Sequence, residues 1–453
     1  MMIYAITVFL ILSFLFTIRF EKEMKSLRTF AFISTNSYVL TATIIASHIG
    51  SGAIIGGIES GASYGIFALL GLLGFPIQLI LIAFFIAPKK RENIVTIGDF
   101  FEPHYGEWMK ILTGFIVIIF NLGLIITLIY SMNTTLFFFI GTSTAYIMSA
   151  LTLILAIHCC FRGMILNVCM SILQCTLMFL ALLMGWGFSV YYHGSFGQFL
   201  THIPMQSWTI SNSQSYVEIF SIFIGLMLGN ALMPSVFQGL HMAETKAQAK
   251  MSFLLSGFCI AVFAAFLVLC GMGIMTFDIN SASAFENLFL KAPPFLKIFI
   301  AIGLLIAILS SIVNLLNISI VALINDVLTP FRCRAKNLKI IIYTSALFFG
   351  GLSFIIAFFI LSSSRLKMLF FIYKLWGPLF LTPILGIFYK KTIPGWAFFI
   401  IMLLTVFVMA LWVILGLDKQ THIHELIVGL GANFILYTIT RFIFCQKTNC
   451  SHQ

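Results

Sequence analysis

Charge is what this sequence has least of. Only 9 % of its 453 residues are charged and just 14 are acidic, whereas an ordinary soluble domain carries about 25 % charge. That shortage excludes a water-soluble chain of this length. Cysteine occurs nine times, yet no two fall in an outward loop, so no disulfide framework is implied. The run His158–Cys159–Cys160 lacks the ligand spacing of a structural zinc site. No long polar stretch separates the apolar ones, which leaves no place for a soluble domain. What the chain does have is 61 % hydrophobic residues, 50 of its residues phenylalanine, and a mean hydropathy of +1.09. It reads as an all-α, polytopic membrane protein.

Thirteen apolar segments reach spanning length: 3–18, 34–58, 66–88, 110–132, 134–158, 164–190, 218–237, 252–276, 296–325, 338–361, 368–389, 396–415 and 427–444. The fourth and fifth nearly fuse. With the N-terminus outside, 19 of the 25 basic residues fall on the inward side, among them Lys22, Lys25, Arg91, Arg332, Arg334 and Lys336. Lys291, Lys297, Arg365, Lys367, Lys374 and Lys419 stay outside or within the membrane. This bias predicts an N-out, C-in topology. It also accounts for the +11 net charge without a nucleic-acid partner. The first segment lacks a basic leader and a small-residue cleavage site, and reads as an uncleaved helix.

Two segments tolerate what a membrane helix ordinarily avoids. Within Phe295–Leu328 lie Ser310, Ser311, Asn314, Asn317, Ser319 and Asp326. Ala307, Ser310 and Ser311 share one helical face. Two hydroxyls and a carbonyl there make half of a hard-cation site. The alternative is that the serines only permit close helix packing or bond back to the preceding turn. Residues 41–66 contain Gly50, Gly52, Gly56, Gly57, Gly61 and Gly65. Each glycine weakens a helix by about 1 kcal/mol relative to alanine, and unwound backbone at membrane depth survives where it is buried or lines a cavity. Gly52/Gly56 and Gly57/Gly61 also fit small-residue packing.

Four patches in register resemble the sodium:solute symporter family, which includes proline, pantothenate, sialic acid and sugar carriers. They are IASHIGSGAIIGG followed by KKR and TIGDFFEPHYG, then VFQGLHMAETKAQA, SSIVNLLNISIVALINDVL, and PILGIFYKKTIPGWA. The match covers about residues 30–400. It implies the leucine-transporter-type fold, a five-plus-five inverted repeat. Residues 1–28 would hold an extra helix and inward loop, 29–191 repeat one, 192–392 repeat two, and 393–453 two further helices and a tail. The first span of each repeat would be broken, the second one at GLMLGNALMP (Gly225–Pro234).

The resemblance also implies a sodium site made by the carbonyls of Ala46, Ile49 and Ala307 and the hydroxyls of Ser310 and Ser311. A second sodium in some members uses an aspartate, where this chain has Ser171 three residues before Gln174; one Na+ per cycle is therefore expected. Gly239 replaces the arginine of an inward F-Q-R motif, which removes that cytoplasmic ion pair. For the substrate cavity the candidates are His48, Gly50, Ser51, Gly52, Asn230, Lys374 and Trp376, with Tyr373 and Phe237 as further walls. Gly50–Gly52 offers few partners to a sugar. Lys374 either meets a substrate carboxylate or snorkels outward. Glu59, Phe237, Gln238 and Asp326 are gate candidates. The expected function is sodium-coupled import of a small, proline-like amino acid or carboxylate across the cell membrane, inner or plasma, with the bilayer as surroundings and no obligate protein partner. The rivals are a proton-coupled transporter of the same fold with His48 titrating, a transporter-like sensor, for which no signalling domain follows residue 445, and an intramembrane enzyme. The last lacks a paired acid or nucleophile.

Overall fold

A computed structural model describes residues 2–19, 27–31, 35–90, 94–209, 213–274, 284–331, 338–359 and 374–450. Lys22, Lys25, Arg91, Arg332, Arg334, Lys336, Arg365, Lys367 and Tyr373 lie outside the described residues, as does the start of the eleventh apolar segment.

Apolar side chains all round each segment allow only one backbone solution in hydrocarbon, in which every N–H finds its carbonyl within the segment. The described residues are accordingly helical and contain no strand. The chain runs through α1 (Met2–Arg19), then α2 (Ser37–His48) and α3 (Ser51–Tyr64), which divide one segment. Next come α4 (Gly74–Leu81), the short amphipathic α5 (Ile97–Tyr105), α6 (Glu107–Ile140), α7 (Thr142–Cys160) and α8 (Met164–Tyr192). A second divided segment holds α9 (Ser213–Ile224) and α10 (Pro234–Met242). It is followed by α11 (Lys246–Ile274), α12 (Ala284–Lys291), α13 (Pro294–Ala322) and α14 (Leu338–Phe359). α15 (Trp376–Phe388), α16 (Gly395–Ile414) and α17 (Glu425–Cys450) complete it.

Each of the thirteen apolar segments contains helix among its described residues, but the spanning count differs. Among the described residues eight helices are long and apolar enough to cross a membrane, nine if α9 and α10, bent by 51°, form one span. Breaks and shorter apolar runs, such as Ile3–Leu15 and Trp376–Phe388, account for the difference. α6, over the fourth apolar segment, also overruns the expected end near residue 132 and stops at Ile140. There Gly141 turns the chain at φ 82°, a conformation that side chains resist.

α13 is the axis of the molecule. Most of its residues are fully buried, and it packs against α6, α7 and α8. Around it, of the two small-residue pairs, only Gly57/Gly61 packs. A Cβ on Gly61 would stand 2.5 Å from the Val268 carbonyl oxygen of α11, whereas Gly52 and Gly56 have nothing within 4 Å.

Candidate functional site

The glycine run produces a clean break. α2 ends with Ile49 at φ −101°, ψ 89°, Gly50 is extended, and α3 starts at Ser51. The last turn of α2 thus has carbonyls without helical partners. Two of them converge: Ala46 O and Ile49 O both accept from the Gln174 side-chain Nε2 of α8, at 3.3 and 2.8 Å. Ser311 stands beside the break, its Oγ 3.8 Å from where a Cβ of Gly50 would sit. That hydroxyl donates to Ala307 O at 2.8 Å and keeps its lone pairs as acceptors. Ala307 is fully buried, and Ser310 is 2 % exposed. These groups supply neutral hard oxygens and two carbonyls aimed at one point, so their chemistry fits a monovalent hard cation.

Gln174 was visible in the sequence only as part of a motif. A lone glutamine in an apolar helix must find buried partners, and this one finds the broken turn. Ser171 instead donates to Asn167 O of its own helix at 2.8 Å.

Below the serines, α13 carries a polar stripe that neighbouring helices satisfy. Asn167 Nδ2 donates to Asn314 Oδ1 at 2.8 Å, and Gln238 Nε2 donates to Asn317 Oδ1 at 3.1 Å. Gln238 also reaches Ala31 O at 3.1 Å. The stripe ends in a π-helical turn, Leu323–Leu328, which carries Asp326.

Three gate candidates meet there. Phe237, Gln238 and Asp326 line one recess of about 380 Å3 together with Thr96. Asp326 is fully buried. Its Oδ1 accepts from Thr96 Oγ1 and from Asn325 Nδ2, while Oδ2 has no hydrogen-bond partner among the described residues. Gly98 and Gly114 make room for it: a Cβ on either would fall within 2.6 Å of its side chain. Thr96 and Asp99 form a capping box at the start of α5. Asn325 Nδ2 reaches Asp99 Oδ1 at 2.8 Å, and Lys110 pairs with Asp99 and Glu102, each at 2.8 Å. Burial pushes the Asp99 carboxyl up, but hydrogen bonds from Lys110, the Val95 N–H and Asn325 outweigh it and hold Asp99 below the ordinary carboxylate range. Ion pairing at this end therefore rests on α5 and α6. Gly239, where the motif would have arginine, packs against Ile44 of α2.

The substrate candidates divide. Ser51 is fully buried and lies 3.4 Å from Ser131 Oγ of α6, with Gly52 open beside it. His48 points elsewhere: its Nδ1 lies 2.8 Å from Ile44 O, and its ring meets the edge of Phe75 at 6.1 Å. At the second break, a π turn over Gly225–Gly229 precedes Asn230, which is 3 % exposed, and Leu232 in the left-handed region at φ 58°. Trp376 lies fully buried next to it, stacked on Phe380 at 4.4 Å and tilted against Phe120 at 5.1 Å. Lys374 has a carboxylate partner within the protein. It pairs at 2.8 Å with Glu425 of α17, a side chain only 7 % exposed. Sequence reasoning missed this because the two residues are 51 positions apart. Glu59 accepts the backbone N–H groups of Ala284 and Phe285 at 3.1 and 2.9 Å, capping α12.

The same fold recurs in solved structures. A Na+-coupled sialic acid symporter, in a substrate-bound outward-open state, superposes with a TM-score of 0.81 at 14 % identity, covering 98 % of each chain. MHP1, a nucleobase-cation-symport-1 family transporter in a closed conformation with bromovinylhydantoin bound, gives 0.59 at 14 % identity over 92 % of this chain and 94 % of its own. MhsT in complex with L-phenylalanine gives 0.54 at 14 % identity over 91 % and 98 %. At such identities the likeness shows a common fold. No curated protein matches the sequence. The sodium:solute symporter family model matches residues 33–403. The chain therefore belongs to the sodium:solute symporter family: it is a multi-pass membrane transporter and not an enzyme, and Na+ is its coupling ion.

Proposed function

We propose that this protein imports a small amino acid or carboxylate, coupled to one Na+ held by the carbonyls of Ala46, Ile49 and Ala307 and the hydroxyls of Ser310 and Ser311. The observation that carries the reading is the convergence of Ala46 O and Ile49 O on a single point at the break that Ser311 also borders. Ser171, bonded within its own helix, offers no charge for a second ion, which favours a single Na+. For the solute, α3 begins at a glycine with no side-chain cap. Its first N–H groups suit a carboxylate at a half-helix N-terminus. With Lys374 engaged by Glu425, that helix end is the better partner. The bound L-phenylalanine of MhsT is consistent with a solute of this class.

The rest of the reading follows the same logic. Thirteen spans, N-out and C-in in the cell membrane, would form two inverted repeats over 29–191 and 192–392, with 1–28 before and 393–453 after. The Asp326 recess would then open inward and the Glu59 cap would face outward. Each Na+ carried inward contributes about 2.3 kcal/mol per 100 mV, enough for roughly two orders of magnitude of solute accumulation with its gradient added.

Uptake into proteoliposomes, screened over amino acids, carboxylates and vitamins with and without Na+, tests this reading. The Ser310→Ala/Ser311→Ala variant should lose Na+ stimulation at least a hundredfold. Full Na+ dependence in that variant would refute the site. Uptake driven by a pH gradient in Na+-free buffer, with no gain from Na+, would favour proton coupling instead.

A further inference from the structure

Gln174 is the one side chain that occupies the convergence point, and nothing in the coupling scheme above uses it. It sits on α8, fully buried. Its Nε2 donates to Ile49 O at 2.8 Å and Ala46 O at 3.3 Å, while its Oε1 has no hydrogen-bond partner among the described residues. The next residue, Cys175, directs its thiol to Ala42 O one turn earlier, at 3.1 Å. α8 thus holds the last turns of α2 by three carbonyls.

We infer that Gln174 is an intramolecular competitor of Na+, a positioning residue that holds the Ala46 and Ile49 carbonyls whenever the ion does not. This rests on the sodium-site reading above. An amide N–H and a cation cannot share the point where two carbonyls converge. The hydrogen fills the space, and its partial positive charge opposes the ion. Without any partner, two buried carbonyls at a broken turn would carry a desolvation penalty. Gln174 removes that penalty in the ion-free protein, so it stabilises the ion-free break and weakens Na+ binding. Arrival of Na+ displaces the amide and loosens α2 from α8 at Ala46 and Ile49. Departure of the ion lets the amide return. A glutamine suits this role because it is neutral and donates without ever titrating. A lysine at this place would be a permanent cation, and an apolar residue would leave the carbonyls bare.

The test uses the purified full-length protein with two variants of different shape, Gln174→Leu and Gln174→Met, so that one packing failure does not decide the matter. Equilibrium binding of radioactive Na+ is measured beside the Na+-dependent melting temperature. Both variants should bind Na+ about tenfold more tightly, a change of about 1.4 kcal/mol. They should melt lower than the parent without Na+ and show a larger upward shift with it. Unchanged or weaker Na+ binding in both variants overturns the inference, provided that Ser310→Ala/Ser311→Ala still abolishes binding. Weaker binding would make Gln174 a ligand through Oε1. If the serine variant keeps Na+ binding, it is the site assignment that fails.

Discussion

The two broken segments solve the same problem differently. At Ile49–Gly50 the helix is interrupted over two residues, the freed carbonyls meet an amide of α8, and a hydroxyl of α13 stands beside the break. At Gly225–Met233 the interruption is longer, passes through a π turn and a left-handed leucine, and bends the chain by 51°. Its surroundings are steric: Gly377 of α15 presses on Leu228 and Gly229, and Leu426 of α17 crowds Gly229. The first break gathers neutral polar groups, and the second is a joint shaped by packing. Backbone that leaves its ladder in a membrane needs either a polar substitute or complete burial, and this chain uses one of each.

The largest separation between the breaks should come from glycine replacements. A Cβ on Gly377 would lie 2.5 Å from the Leu228 carbonyl oxygen, backbone that cannot retreat. Gly377→Ala should lower stability by about 3 kcal/mol, whereas Gly50→Ala, with its nearest neighbour at 3.8 Å, should stay within about 0.5 kcal/mol. Thermal unfolding of both variants measures the contrast, and equal effects would erase it.

A smaller effect is expected at Lys374, which leads into α15 beside the second break. Lys374→Met strands Glu425 and should cost about 1–2 kcal/mol, reduced from a fully buried pair because Lys374 is 31 % exposed. A compensating Glu425→Leu change should recover most of it. A rise in solute KM with unaltered melting would instead return Lys374 to the substrate.

The smallest effect belongs to the far end of α13. Asp99 is held below the ordinary carboxylate range, so its contribution is complete above the unfolded value near about 3.9 and is lost as pH falls through the lower folded one. Asp99→Asn should destabilise by about 1 kcal/mol at neutral pH, and the gap from the parent should close below about pH 4. A gap that widens on acidification would contradict the assigned pairing.

Much of this was written locally. The glycine run marks the first break, and the hydroxyls on one face of α13 point toward its partner. What could not be read was who satisfies whom. Gln174 and Ile49 are 125 positions apart, and Gln238 and Asn317 are 79 apart. A polar residue in an apolar helix announces that it has a partner, without saying which one. Helix lengths slipped for a related reason: apolar composition looks the same on both sides of Gly141.

The sequence by itself determined that this chain is a helical membrane protein, and its motif patches carried the resemblance to its family, because hydropathy, glycine spacing and short motifs are local properties. Only the tertiary structure decided that His48 turns to Phe75, that Lys374 belongs to Glu425, and that Gln174 sits on the two carbonyls of the first break. Those choices depend on which helix faces meet, and burial lets each polar group take only the partner that packing brings within reach.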